Sequence, residues 1–341
     1  MKVQLIGFGN VGKSLLELIL DEYPKLEAMK LNLKFVSISD SKGTAVDEEG
    51  LDLSNVLKYK SVGWSGCDYY LKGYSALDAI KCIDSDLVVE LTPSTNNGEP
   101  GLSHIKTAFT LKKHVVTANK GPLVVAFKQL KNMAIENNVD FLYEATVAAH
   151  VPIFCLLSSC FLADEILKVE GIFNATTNYI ICEMEKGNSF QNALDNAIKA
   201  GWAETNYADD VDGVDAARKV VILANTIFDS DFKLKDVKVE GIRNVEPLIV
   251  EAKRQSKKVK LLCEIIKKDS EISLQVSPKM IPLDDPLSTV NYGDMAVKFY
   301  FKNSQEIFVS AKFKSPRQTA QAVLNDIIKV ALKRKCTRQP A

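Results

Sequence analysis

Val3-Gln4-Leu5-Ile6 runs straight into Gly7-Phe8-Gly9-Asn10-Val11-Gly12, and a helical stripe of Val11, Leu15, Leu18 and Ile19 follows. A strand, a Gly-x-Gly-x-x-Gly turn and a helix in that order form the dinucleotide fingerprint. Gly7 allows the tight turn, Gly9 lets the backbone approach a pyrophosphate, and Gly12 lets helix and strand pack closely. The pyrophosphate sits on the amides of the helix N-terminus, with Asn10 and Val11 at the opening turn. A second apolar run, Phe35-Val36-Ser37-Ile38-Ser39, ends at Asp40. A carboxylate there accepts from adenosine ribose hydroxyls and repels a 2′-phosphate, which predicts NAD over NADP. Lys42 nearby offers a phosphate an alternative. The spacing from Gly12 to Asp40 exceeds the usual ~20 residues, and Tyr23 to Leu33 reads as a loop insertion that supplies the excess.

The alternation continues. Asp86-Leu87-Val88-Val89-Glu90-Leu91 reads as a buried parallel strand, stopped by Thr92-Pro93-Ser94. Glu99 to Lys113 reads as a helix with Pro100 in its first turn. His114 to Thr117 is the next strand, Pro122 to Asn137 the next helix and Phe141 to Tyr143 a further strand. This predicts an α/β chain whose N-terminal domain, 1–145, is a Rossmann-type doubly wound parallel sheet. The pattern changes near Glu144. A helix over about Pro152 to Phe161 and strands at Val169–Phe173, Val237–Gly241, Ile272–Val276 and Ala296–Phe301 predict a second, α+β domain over 146–311. A last helix, about Thr319 to Lys333, carries Ala322, Val323, Ile327, Val330 and Ala331 at helical spacing. The segment 312–341 is expected to return to the first domain.

The chain has 341 residues, enough for two domains with a sizeable core. Its 43 basic and 43 acidic residues cancel, so no overall field favours nucleic acid or an anionic membrane. The apolar fraction of 46% is ordinary and no long uninterrupted apolar run occurs, so no membrane span is expected. Seven scattered cysteines without a Cys-x-x-Cys fit a reducing, cytoplasmic setting better than a disulfide framework. The opening strand pattern leaves no room for a signal peptide. His104, His114 and His150 are too far apart for metal-ligand spacing.

Three polar clusters follow the expected sheet strands. Thr92-Pro93-Ser94 lies at a strand's carboxyl end, where ligands bind. Thr117-Ala118-Asn119-Lys120-Gly121-Pro122 follows the next strand, and spacing alone leaves its lysine either facing the crevice or simply solvated. Gly201-Trp202-Ala203-Glu204 precedes Asp209-Asp210-Val211-Asp212-Gly213-Val214-Asp215, whose carboxylates do not have EF-hand order. Asp215 and Lys219 are four apart and share a helix face. Spacing alone leaves a functional pair and a surface salt bridge both open.

Taken together, Gly7–Gly12, Asn97-Gly98-Glu99-Pro100, Thr117–Lys120, Glu144-Ala145-Thr146-Val147, Thr176-Thr177-Asn178-Tyr179-Ile180, Gly201–Glu204 and Gly213–Lys219 resemble homoserine dehydrogenase in its short, monofunctional form, over almost the whole length. The resemblance implies reversible NAD(P)-dependent interconversion of L-homoserine and L-aspartate 4-semialdehyde, in threonine and methionine biosynthesis. It implies that Glu204 holds the substrate amino group, that Asp210 lines the same pocket and that Thr176 lies near the substrate carboxylate. Lys219 is the implied proton-transfer lysine, with Asp215 orienting its ammonium. Lys120 sits between nicotinamide and substrate, and Thr92 contacts the nicotinamide side. A sodium-like ion on backbone carbonyls falls at Glu144, Val147, Ala149 and Val151, and a homodimer forms through the second domain. Departures occur at Ala149-His150-Val151-Pro152, where the family is glycine-rich, at Ala175, and at Lys312 to Arg317 before the last helix. They keep two other readings open: a same-fold dehydrogenase for another amino acid, and a dinucleotide-binding regulatory protein without turnover.

Overall fold

The computed structural model describes residues 1–203 and 207–338. The chain divides into two compact units, Met1–Thr146 with the segment from Ser315 onward, and Val147–Lys314.

The first unit opens with β1 (Lys2–Ile6), α1 (Asn10–Asp21) and α2 (Tyr23–Ala28). The expected loop at Tyr23–Leu33 is therefore mostly helix. Pro24 starts it and Leu26 buries against the core. There follow β2 (Lys34–Asp40), β3 (Gly43–Val46), α3 (Leu53–Val62), β4 (Tyr70–Lys72), α4 (Ala76–Cys82) and β5 (Leu87–Glu90). Then come α5 (Gly101–Thr110), β6 (His114–Thr117), α6 (Lys120–Glu136) and β7 (Phe141–Leu142). The sheet order is β4-β3-β2-β1-β5-β6-β7. Strands β2, β1, β5, β6 and β7 are parallel, whereas β3 and β4 add an antiparallel edge. Strand β1 has β2 on one side and β5 on the other, so the strand order reverses there. Ligands bind at such a switch point, beyond the carboxyl ends of the strands.

The second unit contains α7 (Ile153–Cys160), β8 (Ile166–Ile172), α8 (Ala175–Glu185), α9 (Phe190–Lys199), α10 (Ala208–Val211) and α11 (Val214–Phe228). It continues with β9 (Val237–Val239), α12 (Glu246–Arg254), β10 (Lys257–Lys268), β11 (Glu271–Pro282), β12 (Met295–Phe301) and β13 (Glu306–Ala311). Its sheet runs β13-β12-β8-β10-β11-β9, antiparallel except for the β9–β11 pair. Helices α8, α11 and α12 pack on β10.

The chain ends in α13 (Pro316–Arg338), which belongs to the first unit. Its Ala320, Val323, Leu324 and Ile327 join Leu15, Leu16 and Ile19 of α1 in one apolar cluster. Asp326, almost fully buried, accepts the Glu144 amide at 2.9 Å and ties the helix to the end of the sheet. Among the described residues, no helix is long and apolar enough to cross a membrane.

Candidate active site

In the first unit, the three fingerprint glycines have different reasons to be glycine. Gly7 has φ +97°, and a Cβ there would stand 2.5 Å from the Leu91 carbonyl carbon. A Cβ on Gly12 would stand 2.5 Å from the Gly7 carbonyl oxygen. Both are demanded by packing. Gly9 meets nothing within 4 Å, so the bare backbone there faces open space rather than protein. Gly9 also caps α1 and brings no side chain of its own to the first amides, those of Asn10 and Val11. That is the arrangement an anion at a helix N-terminus requires. Phe8 is buried beside it, under the Lys60 ammonium at 5.2 Å.

Asp40 lies at the end of β2, as a ribose reader should, but its oxygens are already engaged. Oδ1 accepts from the Lys42 amide (2.9 Å), the Gly43 amide (3.2 Å) and the Tyr70 hydroxyl (2.8 Å). Oδ2 accepts from Lys60 Nζ (3.0 Å) and Trp64 Nε1 (3.1 Å). Burial pushes this carboxyl up. The Lys42 amide, Tyr70, Lys60 and Trp64 outweigh it and hold it at about 2. A carboxylate offers about four lone-pair sites. A ribose hydroxyl therefore reaches Asp40 only by displacing one of these donors, and the charge expected to repel a 2′-phosphate is balanced by Lys60. The Trp64 ring stacks on Tyr70 at 4.3 Å and 5°. Sequence reasoning missed Lys60, Trp64 and Tyr70, which lie 20 to 30 residues beyond Asp40.

Thr92 follows β5, and Lys120 is the first residue of α6. The Lys120 amide donates to Ser94 Oγ at 2.9 Å, and Asn119 Nδ2 donates to Thr92 Oγ1 at 3.1 Å. The two clusters expected at the strand ends are thus joined.

In the second unit, the N-terminus of α8, the short α10 and the first turn of α11 meet. Asn174, the N-cap of α8, donates to Asp210 Oδ1 at 2.6 Å and to Asp215 Oδ2 at 2.9 Å. Lys219 Nζ donates to Asp215 Oδ2 and to the Phe173 carbonyl, each at 2.6 Å. The Asp215 and Lys219 side chains are only 14% and 12% exposed, so a surface salt bridge is the wrong description. Burial raises the Asp210 carboxyl above its ordinary value, and the Asp215 charge raises it further. Asn174, Lys219 and Thr176 oppose the rise without cancelling it. Among the described residues, Lys219 is the cation hydrogen-bonded to this buried acidic pair.

Thr176 is buried, and its hydroxyl donates to the Trp202 carbonyl at 2.6 Å. The same hydroxyl helps hold the Asp210 carboxyl down, so Thr176 stands between the Gly201–Ala203 strip and the acidic pair. Glu204 lies outside the described residues. Asn174 was not anticipated, although an Asn before a helical run is a capping signal.

Of the four positions given to a monovalent ion, Glu144 belongs to the first unit and Val147, Ala149 and Val151 to the second. Ala148 and Ala149 both adopt φ +52°, which reverses the chain in a tight turn. The Val151 carbonyl accepts the Ile153 amide at 2.9 Å and keeps one lone pair. Backbone carbonyls are the donors a hard cation takes. Among the described residues, no cluster of His, Cys, Asp or Glu could hold a metal. His150 Nδ1 is buried without a hydrogen-bond partner among the described residues, and burial lowers its pKa, so it is neutral at neutral pH.

The chain is similar to known proteins along its whole length. The family described as homoserine dehydrogenase matches residues 152–328, and that described as homoserine dehydrogenase, NAD binding domain, matches residues 7–144. A homoserine dehydrogenase of Methanocaldococcus jannaschii is 39% identical over 97% of this chain and 98% of its own length. An NAD(+)-dependent homoserine dehydrogenase of Pseudomonas canavaninivorans is 33% identical over 96% of each. The crystal structure of homoserine dehydrogenase from Thermoplasma acidophilum superposes with TM-score 0.85 at 30% identity, covering 97% of this chain and 99% of that one. A hyperthermophilic archaeal homoserine dehydrogenase solved with NADPH gives TM-score 0.85 at 27% identity, covering 97% and 98%. With both halves matched and relatives aligned from end to end, the chain belongs to the homoserine dehydrogenase family.

Proposed function

We propose that the protein interconverts L-homoserine and L-aspartate 4-semialdehyde, with Lys219 moving the proton and the Asp210–Asp215 pair receiving the substrate ammonium. The observation that carries this reading is the buried acidic pair bridged by Asn174, whose Asp210 is raised by burial and by Asp215, beside Lys219. The α-ammonium of homoserine supplies a positive charge to that pair. Two of the three N–H donors of Lys219 go to Asp215 and Phe173. The third is directed at the substrate oxygen. In the oxidative direction the neutral amine accepts the hydroxyl proton as hydride leaves. In the reductive direction the ammonium donates to the developing alkoxide. Asp215 orients that nitrogen, and Thr176 holds the wall. Glu204 takes a share of the ammonium in this reading.

A bound nicotinamide carries the hydride. The first unit would hold it with the Gly7–Gly12 turn at the pyrophosphate and with Thr92 and Lys120 toward the nicotinamide. Because Lys60 balances Asp40, the adenosine end accepts NAD and NADP rather than excluding the phosphate. An ion at 144–151 and a homodimer through the second unit complete the reading and rest on family membership.

The test is reduction of NAD and NADP by L-homoserine, run in parallel. Turnover with both, within about tenfold of each other, is expected, since Asp40 is neutralised. Strong rejection of NADP would return Asp40 to its role as a charge filter. No turnover in a folded protein that binds cofactor would overturn the substrate assignment.

A further inference from the structure

Strand β5 ends in a carboxylate that the chemistry above leaves unused. Glu90 is the last residue of β5 and is fully buried. Its Oε1 accepts the Thr92 amide at 3.2 Å and also the Thr92 hydroxyl. A chain of hydrogen bonds runs from there to Lys120. Asn119 Nδ2 donates to Thr92 Oγ1 at 3.1 Å, Ser94 Oγ donates to Asn119 Oδ1 at 2.9 Å, and the Lys120 amide donates to Ser94 Oγ at 2.9 Å.

The direction of this chain is fixed from both ends. A backbone amide only donates, so Lys120 makes Ser94 Oγ an acceptor and sends the serine proton onward. The Gly121 amide donates to Asn119 Oδ1 at 3.0 Å, which settles which end of that side chain is oxygen. Asn119 therefore donates to Thr92, and the Thr92 proton is left for Glu90. An acceptor-only group has to stand at that end, and a carboxylate is one. Thr117 adds a second brace. Its hydroxyl accepts the Asn119 amide at 3.0 Å, donates to the Glu90 carbonyl at 2.8 Å and lies 3.3 Å from Glu90 Oε2. The network is sealed by Gly101, where a Cβ would stand 2.5 Å from Asn119 Nδ2 and 3.1 Å from Glu90 Oε2. His104 Nδ1, buried and without a hydrogen bond among the described residues, lies 3.5 Å from Glu90 Oε1.

We propose that Glu90 is a positioning residue for the reaction: by terminating this chain it sets the Thr92 hydroxyl and the start of α6, and so places Lys120. The proposal rests on the reading that Thr92 and Lys120 face the nicotinamide. A hydrogen-bonded chain of this kind holds its members within tenths of an ångström, and misplacement by about 1 Å costs up to about a hundredfold in rate.

The test compares E90Q, S94A and the double variant in the full-length enzyme, by kcat and KM for L-homoserine and NAD(P), with thermal melting alongside. E90Q keeps the size, removes the charge and turns one acceptor into a donor. Each single variant is expected to lose about tenfold or more in kcat, with KM for homoserine nearly kept. The double variant is expected to lose no more than the worse single, because a chain already cut is not cut again. Additive losses, or native kcat in E90Q, would overturn the proposal. Should E90Q fail to fold, S94A at the exposed link carries the test, and S94T, which keeps the hydroxyl, is expected to recover most of its loss. T92V separates the two levels. Loss of kcat in T92V with native kcat in E90Q and S94A rejects the chain and keeps Thr92 at the nicotinamide. Native kcat in T92V rejects both.

Discussion

Two carboxylates at the two ends of the expected chemistry have opposite surroundings. Asp40, in the first unit, is held at about 2 by donors from its own chain. Asp210, in the second, is raised by burial and by Asp215. The first is complete before any ligand arrives, and its geometry is preorganised. The second stores unfavourable charge that only an incoming cation relieves. In the proposed reading, binding energy from the substrate ammonium is available at the pocket assigned to proton transfer, while the cofactor side offers shape and fixed hydrogen bonds. Perturbed carboxylates cluster at functional sites, but the sign of the shift tells what each is for.

The largest break in this comparison comes from Lys219. K219A is expected to lower kcat by about 10²- to 10⁴-fold while NAD(P) affinity, measured by fluorescence titration, stays nearly native. Parallel loss of cofactor affinity would mean collapse of the pocket rather than removal of a proton carrier.

D210N comes next. Removing one of the two carboxylates is expected to raise KM for L-homoserine by about 10- to 100-fold. The same change is expected to raise the melting temperature of the ligand-free protein by a few degrees. The sign follows from linkage. A carboxyl raised on folding favours the folded state below its unfolded value near 3.8, and that contribution is lost as pH rises through the folded value. At neutral pH Asp210 is therefore a cost, and the amide removes it. A fall in melting temperature would contradict the stored-charge account.

Asp40 should behave the other way. Its stability is present above pH 3.8 and lost as pH falls towards about 2. D40N is expected to cost about 2 kcal/mol at neutral pH by urea unfolding and to flatten the acid limb of stability in that window. The smallest effect belongs to W64F, which keeps the stack on Tyr70 and deletes one donor to Asp40. About 1 kcal/mol or less is expected. A larger loss would show that the indole, rather than the Lys42 amide and Tyr70, is the main partner of Asp40.

Local signals made the framework legible. The glycine turn, the apolar β5 and β6 and the i,i+4 spacing of Asp215 and Lys219 are each short-range patterns, and each marks a feature the structure contains. The rest depended on contacts that cross the sequence. Strands β3 and β4 have only four and three residues, and they pair antiparallel at the sheet edge, with Gly43 opposite both Asp40 and Lys72. Saturation of Asp40 needs Lys60, Trp64 and Tyr70, brought back by α3 and β4. Asn174 lies 36 and 41 residues from the two aspartates it bridges. Glu90 falls inside an apolar strand pattern, and nothing in its neighbourhood announces Asn119 and Ser94 as links to Lys120.

The central claim is that the acidic pair exists to meet the substrate ammonium. The most direct measurement is the rate of nicotinamide reduction by native protein and D210N, with L-homoserine and with 4-hydroxybutyrate, which lacks only that ammonium. The account predicts that the native protein prefers homoserine by roughly a hundredfold or more and that D210N loses most of the preference. Equal rates on both substrates in the native protein, or full discrimination in D210N, would contradict it.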